Sequence, residues 1–326
     1  MKKFRYLSLI TILVALAACE QEPEKLQFDV KLKADKIVST IADTLVVYKN
    51  TALIFNMTGN PDIVTFFSGE NTHAYEYRAR IKAAGTPKLD FYYNSRQVTA
   101  TQSVDVLAST DFSGITDSIS VKTAKWDTLT PLDMKAYINT NVAKPISTID
   151  LSKYASTPVY LAFRLIINSA VRFSYPTFSA LTVKNYLGDG NASTVVDGFT
   201  AAGMSFVTLS ENGAWKNNYG ATTTGTTLWK LSSNTITVNT TPFAAPTNTD
   251  GKLHELWAVS KLIALDAVMP DAGISAKNVF DAAGDFNYTY TKSGIYKVTF
   301  VAARTSANGV ENEVVKEMVV KVVDAP

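Results

Sequence analysis

The chain has one cysteine, Cys19, and two histidines, His73 and His254. A single thiol excludes an intrachain disulfide, even in a compartment that would permit one. The histidines lie far apart in sequence, and neither has a second His or Cys at metal-ligand spacing. His-Glu-x-x-His, a Gly-x-Ser-x-Gly elbow and a phosphate-binding Gly-x4-Gly-Lys-Ser/Thr loop are all missing. Gly188-Asp189-Gly190-Asn191 is rich in glycine but has no following Lys-Ser/Thr, so it reads as a turn. Charge of one sign is also lacking. Without residues 1–18, which hold Lys2, Lys3 and Arg5 and no acid, the 31 basic side chains fall to 28 against 29 acidic ones, a net charge of −1. A chain so balanced has no electrostatic case for nucleic acid. Long amphipathic patterns at helical spacing are missing as well.

What is present alternates. Pro158 to Ile167 is the most apolar run beyond residue 18, with Val159, Leu161, Phe163, Leu165 and Ile167 on one face and Tyr160, Ala162, Arg164 and Ile166 on the other. A period of two with β-branched and aromatic residues predicts a strand, here the central one of a sandwich. Aromatic residues are plentiful and Thr, Val and Ser recur, so the fold class is all-β with few helices. Strands are expected at 28–32, 44–48, 51–57 and 63–67, and in the alternation Tyr75, Tyr77, Ala79, Ile81. Further strands are expected at 89–93, 104–108 and 119–123.

The N-terminus carries Lys2, Lys3 and Arg5, then an apolar run from Leu7 to Ala18 that is too short to span a bilayer well. It closes in Leu16-Ala17-Ala18-Cys19, which resembles the lipobox of bacterial lipoproteins. The resemblance implies cleavage before Cys19, acylation of its sulfur, and hence no catalytic cysteine. Residues 1–18 are then a signal peptide and 19–25 a lipidated tether. Glu20-Gln21-Glu22-Pro23-Glu24 resembles the surface-export signal of Bacteroidota lipoproteins, and reads equally as a solvated linker.

Two further resemblances set the expected domains. Phe286-Asn287-Tyr288-Thr289-Tyr290, followed by Gly294-Ile295-Tyr296-Lys297-Val298-Thr299-Phe300, resembles the closing hairpin of polycystic-kidney-disease-type (PKD) immunoglobulin-like domains. Gly294 would supply the permissive backbone, and Tyr296, Val298 and Phe300 would face the core. A discontinuous immunoglobulin-like sandwich, 26–84 plus 284–326, follows, with 85–283 inserted as a larger domain. The alternative is two consecutive small domains with a C-terminal hairpin packed on the second. Within the insertion, Ser109-Thr110-Asp111-Phe112-Ser113-Gly114, Ala124-Lys125-Trp126, Ile149 to Tyr154 and Pro158 to Arg164 resemble, in order and spacing, the choice-of-anchor J type of jelly-roll module. With Thr58 to Asp62, Phe67 to Glu70, Glu255 to Ser260 and Met269 to Gly273, the chain resembles a family of Bacteroidota surface lipoproteins of unknown function. The family implies an outer-membrane, cell-surface location more firmly than an activity.

Candidate chemistry is sparse. Glu70, Glu76, Asp111, Asp127, Asp189 and Glu211 could serve a glycosidase, but nothing in their spacing selects a pair, so no enzyme is expected. Jelly-roll modules frequently hold a structural Ca2+, and Asp111 and Asp127, flanking a hairpin, are the carboxylates to test for it, with loop capping as their expected role. No other cofactor is expected. Flat side chains can stack on a sugar ring while Asn, Asp and Arg read its hydroxyls. Trp126, Trp257 and Trp229 fall in strand patterns and read as core. Trp215 lies in the polar stretch Glu211 to Gly220, with Asn217, Asn218 and Tyr219 beside it. That stretch is the first candidate glycan site, and Tyr92, Tyr93 and Arg96 form a second platform. The expected function is capture of a polysaccharide or oligosaccharide for an outer-membrane transporter, with membrane attachment through the lipid. The alternative is a structural or adhesive protein that binds other proteins.

Overall fold

The computed structural model describes residues 25–96, 102–137, 140, 142–167, 175–188, 190–210, 215–216, 222–223, 229–232, 234–238, 253–306 and 309–326. The chain forms two compact units. One combines the residues up to Ala79 with Pro270–Pro326, and the other is Arg80–Met269. Both are built from β-strands, in an all-β, sandwich-like fold.

The first unit opens with β1 (Phe28–Leu32), β2 (Ser39–Ile41), β3 (Thr44–Tyr48), β4 (Ala52–Gly59) and β5 (Ile63–Phe67). In β1 and β4 every second residue is buried: Phe28, Val30 and Leu32 in one, Leu53, Phe55 and Met57 in the other. These strands pair antiparallel, and Gly59 closes their end with a φ of 113°. A Cβ there would lie 2.1 Å from the Gln27 carbonyl oxygen, so only glycine fits. The alternation at 75–81 does not become a strand. Tyr75–Tyr77 is a 3-10 turn, with the Arg78 guanidinium 3.7 Å from the Tyr75 ring centre and the Ala74 N–H donating to Asp271. The sequence period was right for a strand, but the turn takes up the backbone groups a sheet would need.

The second unit runs through β6 (Gly85–Arg96), β7 (Gln102–Ser109), α1 (Ser118–Thr123), β8 (Asp127–Thr128), β9 (Lys144–Pro145), β10 (Ile149–Asp150), β11 (Tyr160–Ile167), β12 (Tyr175–Leu187), β13 (Ala192–Asp197), α2 (Gly198–Ala201), β14 (Ser205–Ser210), β15 (Trp215–Lys216), β16 (Thr222–Thr223), β17 (Trp229–Ser232), β18 (Thr235–Val238) and β19 (His254–Val259). One sheet has the order β14-β19-β11-β7-β8, which puts the strand of the most apolar run at its centre. The other has the order β10-β6-β12-β18-β17, with β13 and β9 added beside β12 and β6. Leu161, Phe163 and Leu165 point into a core shared with Phe91, Phe178 and Phe199. Phe163 is 4.7 Å from Phe178 and 5.2 Å from Phe199, ring centre to ring centre. Residues 119–123, expected as a strand, belong to α1. The Asp117 carboxylate accepts from the Ser120 N–H at 2.7 Å and caps the helix, a local bond that outweighs weak β patterning.

The chain then completes the first unit with β20 (Ile274–Lys277), β21 (Asp285–Thr289), β22 (Gly294–Ser306) and β23 (Gly309–Val323). The return falls at Pro270 rather than at the expected residue 284, because β20 pairs with β5 at the sheet edge. One sheet is β1-β4-β21 and the other β2-β3-β23-β22-β5-β20, with β3 and β23 parallel. Two segments expected to form a closing hairpin, β21 and β22, lie in different sheets. The long hairpin is instead β22 with β23, and Gly294 is an ordinary strand residue opposite Val322. Val298 and Phe300 are fully buried, and Tyr296 packs against the core's edge. Phe66 sits at its centre, within 4.8–5.6 Å of the rings of Tyr288, Phe286, Phe300 and Phe55.

Candidate functional site

Strand register brings a set of strand ends to one end of the second unit. Arg96, the last residue of β6, is opposite Tyr175, the first of β12. Ile167, ending β11, faces Gln102, which starts β7, and His254, which starts β19. Ser210, ending β14, faces His254 as well, and Trp229, starting β17, faces Val238, the last residue of β18. β6 ends and β12 begins here in one sheet, and β11 ends and β7 begins here in the other. Of the residues between Ser210 and Trp229, Trp215 and Lys216 pair with Thr223 and Thr222. Sandwich ends of this kind, where several connections meet over a rigid frame, are where such folds carry binding residues.

Beneath that end lies an aromatic floor. Tyr93, Phe178 and Trp229 are all at most 3% exposed. Tyr93 is 5.1 Å from Phe178, and Phe178 is 6.3 Å from Trp229. Burial pushes the Tyr93 hydroxyl up to about 12, with a bond to Ser95 opposing it. Asn94 donates to the Thr140 carbonyl at 2.9 Å, and the Thr140 N–H to Ser95, tying the 140 region to β6.

The proposed second platform divides. Tyr92 is 43% exposed and Tyr93 is 1% exposed, because neighbours on a strand point to opposite faces. Tyr93 belongs to the floor and cannot present its ring to a ligand. Arg96 ends β6 at the loop end, where β14 stops and β17 starts. Asn217, Asn218 and Tyr219 lie outside the described residues, as do Asp189 and Glu211, and Trp215 is described by its backbone pairing alone.

Asp111 and Asp127 lie at the other end, where β7 finishes and β11 begins. Asp111 accepts from the Lys125 N–H and from Ser109 Oγ, both at 2.9 Å, and these bonds lower its pKa in that order. Asp127 accepts from Lys153 Nζ at 2.7 Å and the Tyr154 hydroxyl at 2.6 Å, and its pKa is lowered too. Asp111 is bonded within the 109–125 segment, and Asp127 to the separate turn at Ser152–Tyr154. Among the described residues, no group of three or more His, Cys, Asp or Glu side chains could hold a metal ion. Of the other carboxylates considered for hydrolysis, Glu70 and Glu76 belong to the first unit, where Glu70 accepts from Tyr288 and Ser68.

One constellation was missed at the sequence level. On the outward face of the five-stranded sheet, Arg164 donates to Asp105 through Nε at 3.1 Å and through a terminal nitrogen at 2.8 Å. Its guanidinium lies 5.1 Å over the Trp257 ring, whose Nε1 donates to Glu255 at 2.8 Å. Trp257 stacks obliquely on Trp126 at 5.3 Å, and Phe112 joins Trp126 to Tyr160. The alternation of β11 places Tyr160 and Arg164 on this face, and that was the legible part. The partners come from three other segments. This cluster pins the 111–126 segment to the sheet and has no exposed reactive group.

The family model for DUF5017, a domain of unknown function, matches residues 18–204. The chain belongs to the DUF5017 family. The DUF5017 match covers β1 to α2 and stops just before β14, so it includes Tyr92, Tyr93 and Arg96 but not the Trp215 segment. No curated protein matches the chain. Among solved structures, the C-terminal domain of the Streptococcus pyogenes antigen I/II-family protein AspA is similar at 11% identity and a TM-score of 0.12, over 91% of this chain and 100% of that one. A likeness at that level carries no argument.

Proposed function

We propose that this DUF5017 protein is a non-catalytic, lipid-anchored surface protein that captures a polysaccharide or oligosaccharide. The loop end of the second unit is the binding site. The reading is carried by the convergence of strand ends there: Arg96 closes β6 at the end where β14 stops and β17 starts, the two strands between which the Trp215 segment lies in sequence. Aromatic faces stack on sugar rings, and Asn217, Asn218 and Arg96 supply the donors and acceptors that read hydroxyls. Attachment through Cys19, a Bacteroidota origin, a surface location and service to an outer-membrane transporter rest on the lipobox and the acidic stretch behind it. The choice-of-anchor J and PKD-type labels for the two units rest on their sequence resemblances.

The test is calorimetry or affinity electrophoresis of the chain without its signal peptide against a polysaccharide panel, beside Trp215→Ala and Arg96→Ala. Saturable binding that drops at least tenfold in Trp215→Ala, with the unfolding transition unchanged, supports the reading. Binding that survives both substitutions moves the site elsewhere. No binding across a broad panel removes the glycan reading and leaves the adhesive one, to be followed by capture of partners from outer membranes.

A further inference from the structure

One end of the first unit gathers the point where the chain enters and an unusually exposed apolar tip. Lys25 and Gln27 are held there by Asn60, whose side chain accepts from the Gln27 N–H at 2.8 Å and donates to the Lys25 carbonyl at 3.4 Å. The β4–β5 turn at 60–62, the start of β21, the end of β22 and the start of β23 share this end, because β1 and β21 run antiparallel to β4 and β22 antiparallel to β5 and β23. Between β20 and β21, Phe280 is 98% exposed and Val279 56%. Val310, near the start of β23 at the same end, is 59% exposed.

The Phe280 tip is built, not frayed. Asn278 Oδ1 accepts from the Phe280 N–H at 2.9 Å, and the Asp281 carboxylate from the Asn278 N–H at 3.3 Å. At its root Lys277, only 6% exposed, donates to the carbonyls of Asp62 at 2.8 Å and Asn278 at 3.0 Å. Asp62 in turn accepts from the Thr305 N–H at 2.7 Å. A lysine spent on two backbone carbonyls holds an apolar pair out in water, where it gains nothing for the fold.

We infer that Val279 and Phe280 are a membrane-contacting tip that seats the first unit on the lipid surface to which Cys19 is attached. The inference rests on the lipid-anchor reading above. Lys25 is the sixth residue after Cys19, so six steps of chain separate them. Fully extended they span about 20 Å, so the end of the unit that bears the tip stays close to the bilayer. An aromatic side chain at the interface is a second, weak attachment that fixes orientation where the lipid supplies retention.

The test uses the acylated chain on vesicles of phosphatidylethanolamine and phosphatidylglycerol. Acylation of the sole native cysteine leaves Ala282→Cys as the one free thiol, to be labelled with an environment-sensitive fluorophore. The expected result is a blue shift and quenching by spin-labelled lipid, both lost when Phe280→Ser is added, with the unfolding transition unchanged. A fluorophore at Ile295→Cys, 70% exposed near the start of β22 at the opposite end of the same unit, stays unquenched. An acylated, vesicle-bound chain whose Ala282→Cys label remains in water overturns the inference and spares the anchor, and so does equal quenching at both positions. A chain whose mass carries no acyl group removes the anchor reading and this inference together.

Discussion

The Arg164 guanidinium lies over the Trp257 ring while Asp105 holds it by two hydrogen bonds. Arg164 is paired in register with both Asp105 and Trp257, so three strands meet at one side chain. Its side chain is 26% exposed and that of Asp105 18%, so the pair is partly shielded from water. Arg164→Met leaves Asp105 and Glu255 without their counter-charge and lowers stability by about 1–3 kcal/mol. Asp105→Asn in the same chain recovers part of that loss. Urea unfolding of the two single variants and the double variant measures the coupling, and strictly additive losses contradict the described pairing.

Adjacent tyrosines should behave oppositely. Tyr93→Ala opens a cavity beside Phe178 and costs about 3–5 kcal/mol. Tyr92→Ala, on the exposed face, costs less than about 1 kcal/mol. Equilibrium unfolding separates them. Equal losses would mean that Tyr93 is not in the core.

Acid should weaken the fold in a defined way. Asp111, Asp117, Asp127, Asp150, Asp285 and Asp324 all have pKa values lowered from the ordinary 3.8. A lowered carboxylate binds its proton more readily in the unfolded chain. Its contribution is therefore complete above about pH 4 and is lost as pH falls through the lowered folded values. The leading cause is a lysine partner for Asp127, Asp285 and Asp324, and hydrogen bonds from backbone or hydroxyl groups for Asp111, Asp117 and Asp150. All six are solvent-exposed, so salt should shrink the lysine-dependent share and leave the hydrogen-bonded share. Urea midpoints against pH at low and high ionic strength test this. A profile that rises on acidification contradicts it.

Two glycines with similar backbone angles should differ in cost. Gly69 has a φ of 77°, and a Cβ would lie 2.7 Å from the Lys297 carbonyl oxygen and 2.8 Å from its nitrogen. Gly190 has a φ of 83° and open space around it. Gly190→Ala meets only the left-handed strain of about 1–2 kcal/mol, whereas Gly69→Ala adds a backbone clash and costs more. Thermal unfolding of the two variants gives the order directly.

The sequence by itself determined the all-β class and most of the strands, because a period of two with β-branched and aromatic residues admits few other structures. It also placed β11 at the heart of its unit, since Leu161, Phe163 and Leu165 need cover on one face and Tyr160 and Arg164 do not. Local bonds decided where that rule gave way, at the Asp117-capped helix and at the Tyr75 turn. Tertiary structure alone decided which strands share a sheet: β21 and β22 look like a hairpin in sequence, but β21 pairs with β4 and β22 lies between β5, more than two hundred residues away, and its neighbour β23. It also decided which strand ends meet. Arg96, Ser210 and Trp229 are brought to one end of the sandwich by registers that no local pattern encodes, and the Arg164 cluster likewise draws on four separate segments. Periodicity is a property of neighbours along the chain, whereas pairing depends on which apolar faces can cover one another in space.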